Sequence, residues 1–260
     1  MDIIVLLKQV PDLVEELQID ASGAALDREW LRFRLNEFDD HALEQALLLK
    51  ESHGGRVTVL ALDAGDVEDT LFTALAKGAD AALKIVGASE GGVSSHAASE
   101  IFKAVIGDRP RDLVLTGVGA IDDLDGQVGP ILACAMNVPY VGVVSAVEMG
   151  EGGRSAVVRK EHPGGIFSEI AVTLPAVLGI QAAAKPPRYV PIAKIRQAMK
   201  SSTIEEVPAP GEGAPPGAPG LRVRRMFMPE AGGHAEMISG SPAEIASKVA
   251  AILVEKGVLR

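Results

Sequence analysis

The residues best suited to chemistry are gathered in one loop of the stretch "DLVLTGVGAIDDLDGQVGPILACAM", residues 112–136. Gly117 and Gly119 allow a ligand to approach the backbone closely, and the start of the apolar helix that follows offers free amides and a positive dipole end to a phosphate. The loop also carries three aspartates, which repel phosphate but accept hydrogen bonds from ribose hydroxyls or backbone amides. This combination predicts either a nucleotide site or a solvated loop whose aspartates cap the helix.

Other kinds of site have little support in the sequence. "GVGAID" lacks the third glycine of the dinucleotide fingerprint, and the P-loop pattern is absent. No GxSxG nucleophile motif occurs. The five histidines lack metal-ligand spacing, so no metal site is predicted from His41, His53, His96, His162 and His234. A nucleotide-sized loop without catalytic side chains indicates a protein that holds a cofactor for chemistry carried out elsewhere.

The composition excludes several classes of protein. A formal net charge of -10 argues against nucleic-acid binding, because no excess of positive charge is present to meet a phosphate backbone. The single cysteine, Cys134, rules out a disulfide framework, and we expect it to be a small core residue in a reducing compartment. No signal segment opens the chain and no apolar run reaches the roughly 18 residues of a spanning helix, which predicts a cytoplasmic protein that is not integral to a membrane.

Short apolar runs alternate with helical patterns through the first two-thirds of the chain, which predicts an α/β fold with a Rossmann-like parallel sheet. The predicted strands are "DIIVLLKQV", "RVTVLAL", "AALKIV" and "DLVLTG", each followed by a pattern typical of a helix. In such a sheet, ligands bind beyond the carboxyl ends of the strands, where the strand order reverses. The candidate loops are therefore Lys8 to Asp12, Ala61 to Asp66 and Gly117 to Gly129.

After Val138 the pattern changes to strand-like runs with no helix between them, "YVGVVSAVEM", "RSAVVRKE" and "SEIAVTLPAVLGI". These runs fit antiparallel additions to the edge of the sheet. The proline-punctuated stretch "KPPRYVPIAKIRQAMKSS" then leads into a basic helix. Residues 207–220, "VPAPGEGAPPGAPG", cannot form a core and predict an extended linker.

A separate C-terminal helix is predicted from "SPAEIASKVAAILVEKG". Ser241 and Glu244 complete a capping box, and Pro242 suits the first turn. The apolar stripe of this helix has to be buried on the body of the chain or on a partner, and it consists of Ile245, Val249, Ile252 and Leu253. The predicted organisation is a nucleotide-binding domain over residues 1–206, a linker and extended arm over 207–240, and the C-terminal helix over 241–260.

Four segments resemble the β subunit of electron transfer flavoproteins, and they lie in family order over most of residues 1–200. They are "VLLKQVPD", "LNEFDDHALEQAL", "TALAKGAD" with "DLVLTGVGAIDDLDGQVG", and "LPAVLGIQAAAKPPRYVPIAKIRQAMK". The resemblance implies a heterodimer in which the α subunit makes most contacts to a redox-active FAD. The β subunit would bury an adenine nucleotide, usually AMP, and help to shape the flavin site. Electrons would arrive from an acyl-CoA or similar dehydrogenase and leave to a quinone reductase or another acceptor.

The resemblance also implies which residues bind the nucleotide. Asn36 would place its side-chain amide near the nucleotide, while Gln127 and the amides of residues 126–129 would meet the phosphate. The full implied set is Leu6, Asn36, Glu37, Phe38, Asp39, Leu62, Gly117, Val118, Gly119, Ala120, Ile121, Asp122, Asp123, Leu124, Asp125, Gly126, Gln127, Val128 and Gly129.

A docking surface for partners is implied in the same way. The stretch from Arg188 to Gln197 resembles the loop that recognises dehydrogenases, with Ile192 at the place of an apolar anchor. Glu161 falls where the family has an acidic residue that reaches toward the flavin domain of the α subunit. The C-terminal helix would pack on the α subunit, away from residues 1–200. The polar residues of the docking surface are Arg188, Tyr189, Lys194 and Arg196.

The second nucleotide stays open between AMP and FAD. "GQVGP" replaces the "NQTG" of many AMP-binding members, and Asp63 stands where glycine is common. The tail resembles members in which the β subunit binds a second FAD that accepts hydride from NADH and bifurcates the electrons. That group often has "DGDT" where this chain has "DDLD". We expect an electron carrier with AMP, and the alternative is one subunit of a bifurcating flavoenzyme.

Overall fold

The computed structural model describes residues 1–14, 16–29, 31–63, 67–88, 93–123, 125–210, 223–229 and 235–259. The chain forms two compact units, Met1–Arg224 and Arg225–Arg260.

Strands and helices alternate in the first unit, as the apolar patterns predict. The strands are β1 Asp2–Leu7, β2 Gln9–Pro11, β3 Phe33–Leu35, β4 Arg56–Leu62, β5 Ala81–Val86, β6 Leu113–Gly117, β7 Tyr140–Met149, β8 Ser155–His162, β9 Ile166–Thr173, β10 Ala176–Ile180 and β11 Ile204–Pro208. The helices are α1 Glu37–His53, α2 Val67–Lys77, α3 Ser95–Ile106, α4 Val128–Met136 and α5 Ile192–Ser201.

Within the described residues, nine strands form one sheet in the order β11-β5-β4-β1-β6-β10-β7-β8-β9. The pairs from β11 to β7 are parallel, whereas β7, β8 and β9 pair in antiparallel fashion. The expected Rossmann-like parallel sheet with antiparallel edge additions is therefore confirmed. From β1 the chain proceeds to β4 on one side, and it returns to β6 on the other, so the strand order reverses between β1 and β6.

One predicted run is split between two places in the sheet. Residues 168–180 were expected to lie together at the antiparallel edge, and β9 does so. β10 instead lies between β6 and β7 and is parallel to both, so the expectation is wrong for residues 176–180. Pro175 separates the two strands because it has no amide hydrogen to continue the ladder. All five residues of β10 are buried, as a central strand requires.

The strand β11 begins before the predicted linker and extends into it. It pairs in parallel with β5 at the edge of the sheet. Proline is tolerated at position 208 because the next residue, Ala209, donates its amide to the carbonyl oxygen of Val86 on β5. Val207 packs against the core, which anchors the strand. Residues 207 and 208 therefore belong to the sheet, and residues 211–222 of the arm lie outside the described residues.

The core has one cluster on each face of the sheet. Leu43 and Leu47 of α1 and Leu71 of α2 pack on one face. Ile101 and Phe102 of α3 and Leu132 of α4 pack on the other. Alternation along the strands divides the side chains between the two clusters, so helices cover both faces of the sheet.

The second unit contains α6, Pro242–Glu255. The capping box is present as expected: Ser241 accepts the amide of Glu244, and the Glu244 carboxylate accepts the amide of Ser241. Gly257 follows the helix with a positive φ of 71°, which favours glycine at the end of a helix. In the part of the chain that the structure describes, no helix is long and apolar enough to cross a membrane.

Candidate functional site

A cavity of about 190 Å³ lies where the strand order reverses. It is lined by residues at the carboxyl ends of β1, β4 and β6 and by the first turns of α1, α3 and α4. The cavity therefore includes residues from all three candidate loops, as the strand order predicts. From the implied binding set it brings together Leu6, Asn36, Asp39, Leu62, Gly117, Gly119, Ala120, Asp122, Asp123, Gly126, Val128 and Gly129.

The remaining members of the implied set do not line the cavity walls. Among the described residues these are Glu37, Phe38, Val118, Ile121, Asp125 and Gln127. Leu124 lies outside the described residues.

The sequence interpretation missed part of the lining. The missed side chains include Arg28, Phe33, Val93, Ser95, Ala98, Phe102 and Thr116. Ser95 could have been found, because it follows β5, a further parallel strand whose carboxyl end lies at the same edge. Phe102 gives no such signal, since it fits the apolar pattern of any core helix.

The carboxylate of Asp39 joins two strand ends. Its side-chain oxygens accept the amides of Lys8 and Gly117, each at 2.8 Å, and thereby connect the ends of β1 and β6 to the first turn of α1. Burial raises the pKa of Asp39 to about 7, although the amide donors oppose this shift. A Cβ at position 117 would collide with Asp39 and Phe38, so glycine is needed for the helix to approach this closely.

Lys8 closes the aspartate loop against β1. Its ammonium group lies 2.6 Å from a carboxylate oxygen of both Asp122 and Asp123. Burial alone would lower the pKa of Lys8, but the two carboxylates outweigh this effect and raise it. Asp123 also accepts the amide of Ala120 at 2.8 Å. These aspartates therefore shape the loop and neutralise Lys8.

Further hydrogen bonds hold both ends of the loop. Asn36 lines the cavity, and its side-chain amide donates to the carbonyl oxygen of Gly119 at 2.9 Å. The Asp125 carboxylate accepts a hydrogen bond from the Ser95 hydroxyl. The side-chain amide of Gln127 donates to the backbone carbonyl oxygen of Asp125 at 3.0 Å. The loop is thus fixed to α1 at one end and to α3 at the other.

Thr116 and Gly129 meet at the first turn of α4. A Cβ built at Gly129 would lie 3.2 Å from Thr116 Oγ1 and 2.8 Å from a ring carbon of Tyr140, so glycine keeps this space open. Burial raises the pKa of Tyr140. Thr116 Oγ1 is buried and has no hydrogen-bond partner among the described residues.

The lining of the cavity combines apolar side chains with the free amides of a helix start. Its walls are largely apolar and suit a planar ring, through Leu6, Leu62, Ala98, Phe102 and Val128. The start of α4 offers amides and a positive dipole end to an anion. Within the described ranges, no group of three or more His, Cys, Asp or Glu side chains can hold a metal ion.

None of the implied docking residues lines the cavity. Tyr189 is 85% exposed and Ile192, the first residue of α5, is 64% exposed. Lys194, Arg196 and Glu161 are also exposed. Arg188 differs, because its guanidinium group pairs with Glu44 at 2.8 Å and with Glu51 at 2.6 Å.

Helix α1 holds the segment that leads to the docking residues. His41 Nδ1 and Gln45 Oε1 accept the amides of Ala183 and Ala184, both at 3.1 Å. The buried carboxylate of Glu44 accepts the amide of Arg188 at 3.0 Å. The first turn of this helix therefore contacts the cavity, and the turns that follow hold the start of the implied docking segment, residues 183–197.

Cys134 is exposed, so the expectation of a core residue is wrong. Leu132 and Ala133 face the core on α4. Cys134 follows Ala133 by one residue, about 100° further around the helix, and this rotation places it outside the core.

The chain is similar in sequence to known proteins of one family. Residues 25–211 match the sequence model of the electron transfer flavoprotein domain. The chain is 35% identical over 262 residues to an electron transfer flavoprotein subunit beta of Methylophilus methylotrophus, covering 98% of both chains. It is 29% identical over 259 residues to the subunit of that name in Bacillus subtilis, covering 97% of both. It is also 33% identical over 266 residues to the caffeyl-CoA reductase-Etf complex subunit CarD of Acetobacterium woodii, covering 100% of both.

Proposed function

The chain belongs to the electron transfer flavoprotein β-subunit family, and from this premise we propose that it is one half of a heterodimer that carries electrons. In this proposal its cavity at the reversal of strand order binds AMP, and an α subunit supplies most contacts to FAD. The observation that carries the proposal is the position of the cavity, which lies beyond the carboxyl ends of β1, β4 and β6 and beside the start of α4.

The lining residues fit an adenine nucleotide. The apolar side chains of Leu6, Leu62 and Phe102 provide contact surface for the base. The first turn of α4 has amides without intrahelical acceptors, which suit the phosphate. Because Asp122 and Asp123 are paired with Lys8, their negative charge is partly neutralised before a phosphate arrives.

In this proposal the described residues bind the adenine nucleotide and position the loop that holds it, and the flavin supplies the redox chemistry. FAD, when bound between the subunits, accepts and releases electrons. The role of this chain is to hold the adenine nucleotide through the loop of residues 117–129 and to keep β1, β6 and α1 in register through Asp39. The chain thereby supplies a rigid wall for the subunit interface.

Contact with an electron donor would use the exposed end of α5. Tyr189 and Ile192 are exposed, whereas Val190, which lies between them in the chain, is buried against α2. An exposed apolar side chain on a fixed segment is typical of an anchor for a protein partner. We propose that this anchor docks on an acyl-CoA or similar dehydrogenase, and that a quinone reductase or another acceptor takes the electrons.

A bifurcating flavoenzyme is the second candidate function. The similarity to CarD, whose name places it in a caffeyl-CoA reductase-Etf complex, extends over the whole of both chains and favours this candidate. In that case the adenosine part of a second FAD would occupy the same cavity, and its flavin would accept hydride from NADH. The lining residues would serve both ligands, since the two differ beyond the first phosphate.

The test is the nucleotide content of the protein purified with its α partner. The complex is denatured, and FAD and AMP are quantified by chromatography against the protein concentration. One FAD with one AMP per heterodimer is the expected result. Two FAD without AMP would replace the carrier by the bifurcating enzyme, and a heterodimer with one FAD and no second nucleotide would contradict the assignment of the cavity.

A further inference from the structure

Thr116 contributes an unsatisfied polar group to the lining of the cavity. The side chain of Thr116 is buried, with the residue 5% exposed, and Oγ1 has no hydrogen-bond partner among the described residues. Leaving a buried hydroxyl without a hydrogen-bond partner is unfavourable, because the group loses its hydrogen bonds to water and gains none in the protein. By contrast, the neighbouring polar groups of the lining are paired: Asp39 with two amides, Asn36 with Gly119, and Ser95 with Asp125.

The hydroxyl lies next to the start of a helix. Thr116 is the penultimate residue of β6, and its Oγ1 would lie 3.2 Å from a Cβ at Gly129 in the first turn of α4. Glycine at position 129 therefore leaves open the space beside the hydroxyl. The first turn itself is held in place, because Ser99 Oγ donates to the carbonyl oxygen of Val128 at 3.1 Å. The amides of this turn and the hydroxyl thus lie at one end of the cavity.

We propose that Thr116 is a nucleotide-binding residue, whose hydroxyl donates a hydrogen bond to the phosphate group held at the start of α4. The inference rests on the proposed function, since it assigns a further ligand-binding residue to the same cavity. An anionic oxygen at the helix start meets both the helix amides and the threonine hydroxyl. Binding the phosphate supplies the partner that the buried hydroxyl lacks.

The proposal gives two effects of opposite sign. Valine at position 116 keeps the branched shape but removes the hydroxyl, so the ligand loses one hydrogen bond. The protein without nucleotide, however, loses an unpaired buried group and becomes no less stable. A residue with a merely structural role would lower the stability of the unliganded protein on substitution.

The experiment compares wild type, Thr116→Val and Thr116→Ser in the heterodimer, stripped of the second nucleotide and titrated by calorimetry. For AMP, Thr116→Val should weaken binding about tenfold, the change that corresponds to one hydrogen bond of about 1.4 kcal/mol. Thr116→Ser keeps the hydroxyl and should stay within about twofold of wild type. Adenosine, which lacks the phosphate, should bind equally to all three proteins. FAD content of the α site should not fall in either variant, and the melting temperature without AMP should not fall in Thr116→Val, which keeps the branched shape of the side chain.

The possible results distinguish the role of Thr116 from the proposed binding of a nucleotide in the cavity. AMP binding of undiminished strength by Thr116→Val would overturn the role of Thr116 and leave the AMP site intact. An equal loss for adenosine and AMP would overturn the assignment to the phosphate. A wild-type protein that binds neither AMP nor FAD in the cavity would overturn the proposed function and this inference together. If the cavity takes FAD, the same order of affinities is expected with FAD as the probe.

Discussion

At the scale of single residues, carboxylates at this site act mainly on the chain itself. Asp39 accepts two backbone amides, and Asp123 accepts the Lys8 ammonium group and the amide of Ala120. A buried carboxylate that holds two strand ends is sensitive to pH, because burial raises the pKa of Asp39 to about 7.

The pH dependence has a definite sign. The pKa of Asp39 in the folded protein, about 7, lies above the ordinary value of 3.8 for an aspartate, so the folded state binds the proton more tightly. The resulting stabilisation is fully present below about pH 4 and is lost as the pH rises through 7. Compared with Asp39→Asn, the wild-type heterodimer should therefore lose several degrees more in melting temperature between pH 5 and pH 8, because a pKa of about 7 makes about 2–3 kcal/mol of stability depend on the Asp39 proton over this range.

Thermal melts at several pH values check this prediction. Glu37→Gln is the matched control, because Glu37 is exposed in the same turn of α1. Its profile should run parallel to that of wild type. Parallel profiles for wild type and Asp39→Asn would show that Asp39 does not titrate in this range.

The sequence predicted the position of the site better than the partners of its side chains. Gly117 and the loop after it were found from glycine spacing and from the rule for strand ends. The pairing of Lys8 with Asp123 was not found, because the two residues are 115 positions apart and only the packing of β1 beside β6 brings them together. The sequence also did not predict that the Thr116 hydroxyl would lack a hydrogen-bond partner, because a threonine near the end of a strand fits any β pattern.

At the scale of elements, periodicity predicted most of the helices and strands of the parallel core. It could not place β10, because a short apolar run has the same pattern in a central strand and in an edge strand. It also missed β11, since the charged and proline-containing sequence "IEEVP" lacks an apolar run. What stabilises β11 is pairing with β5 and the contact of Lys84 with Glu206 at 2.9 Å, which are tertiary interactions.

The proposed docking segment, residues 183–197, gives the prediction at this scale. Replacing Ile192 by alanine removes the exposed apolar anchor at the start of α5. This change should raise the KM of a dehydrogenase for the heterodimer about tenfold. Melting temperature and flavin content should stay unchanged, because the side chain is exposed. Steady-state kinetics with a purified acyl-CoA dehydrogenase provide the measurement.

Met199→Ala is the control for this experiment. Met199 is an exposed apolar residue of the same helix, outside the stretch of residues 188–197, and its loss should leave KM as in wild type. Unchanged kinetics for Ile192→Ala would mean that the docking residue has been misassigned. Arg188 is unsuitable as a probe of docking alone, since its guanidinium group is engaged by Glu44 and Glu51.

At the scale of the whole molecule, the second unit has an exposed apolar stripe on α6. Along α6, Val249 is 40% exposed and Ile252 is 41% exposed. We propose that this stripe binds the α subunit, as the family resemblance implies. The capping box shows that the helix has a defined start, so the binding face is preformed.

Charge placed on the stripe tests this proposal. Ile252→Asp should weaken association of the subunits at least about tenfold, because it buries an unpaired carboxylate in an apolar contact. Ser247→Asp, on the opposite side of α6, should bind as wild type does. Sedimentation of the mixed subunits over a concentration series measures both, and equal association constants would exclude α6 from the interface.

The double use of α1 has a consequence for genetics. Asn36 and Asp39 serve the cavity, whereas His41, Glu44 and Gln45 hold the docking segment within the next two turns. A saturation screen across this helix for loss of growth would therefore return alleles of two kinds that look alike in the selection. Sorting them would take suppressor analysis: alleles of the cavity should be rescued by excess nucleotide, and alleles of the docking segment by overproduction of the electron donor.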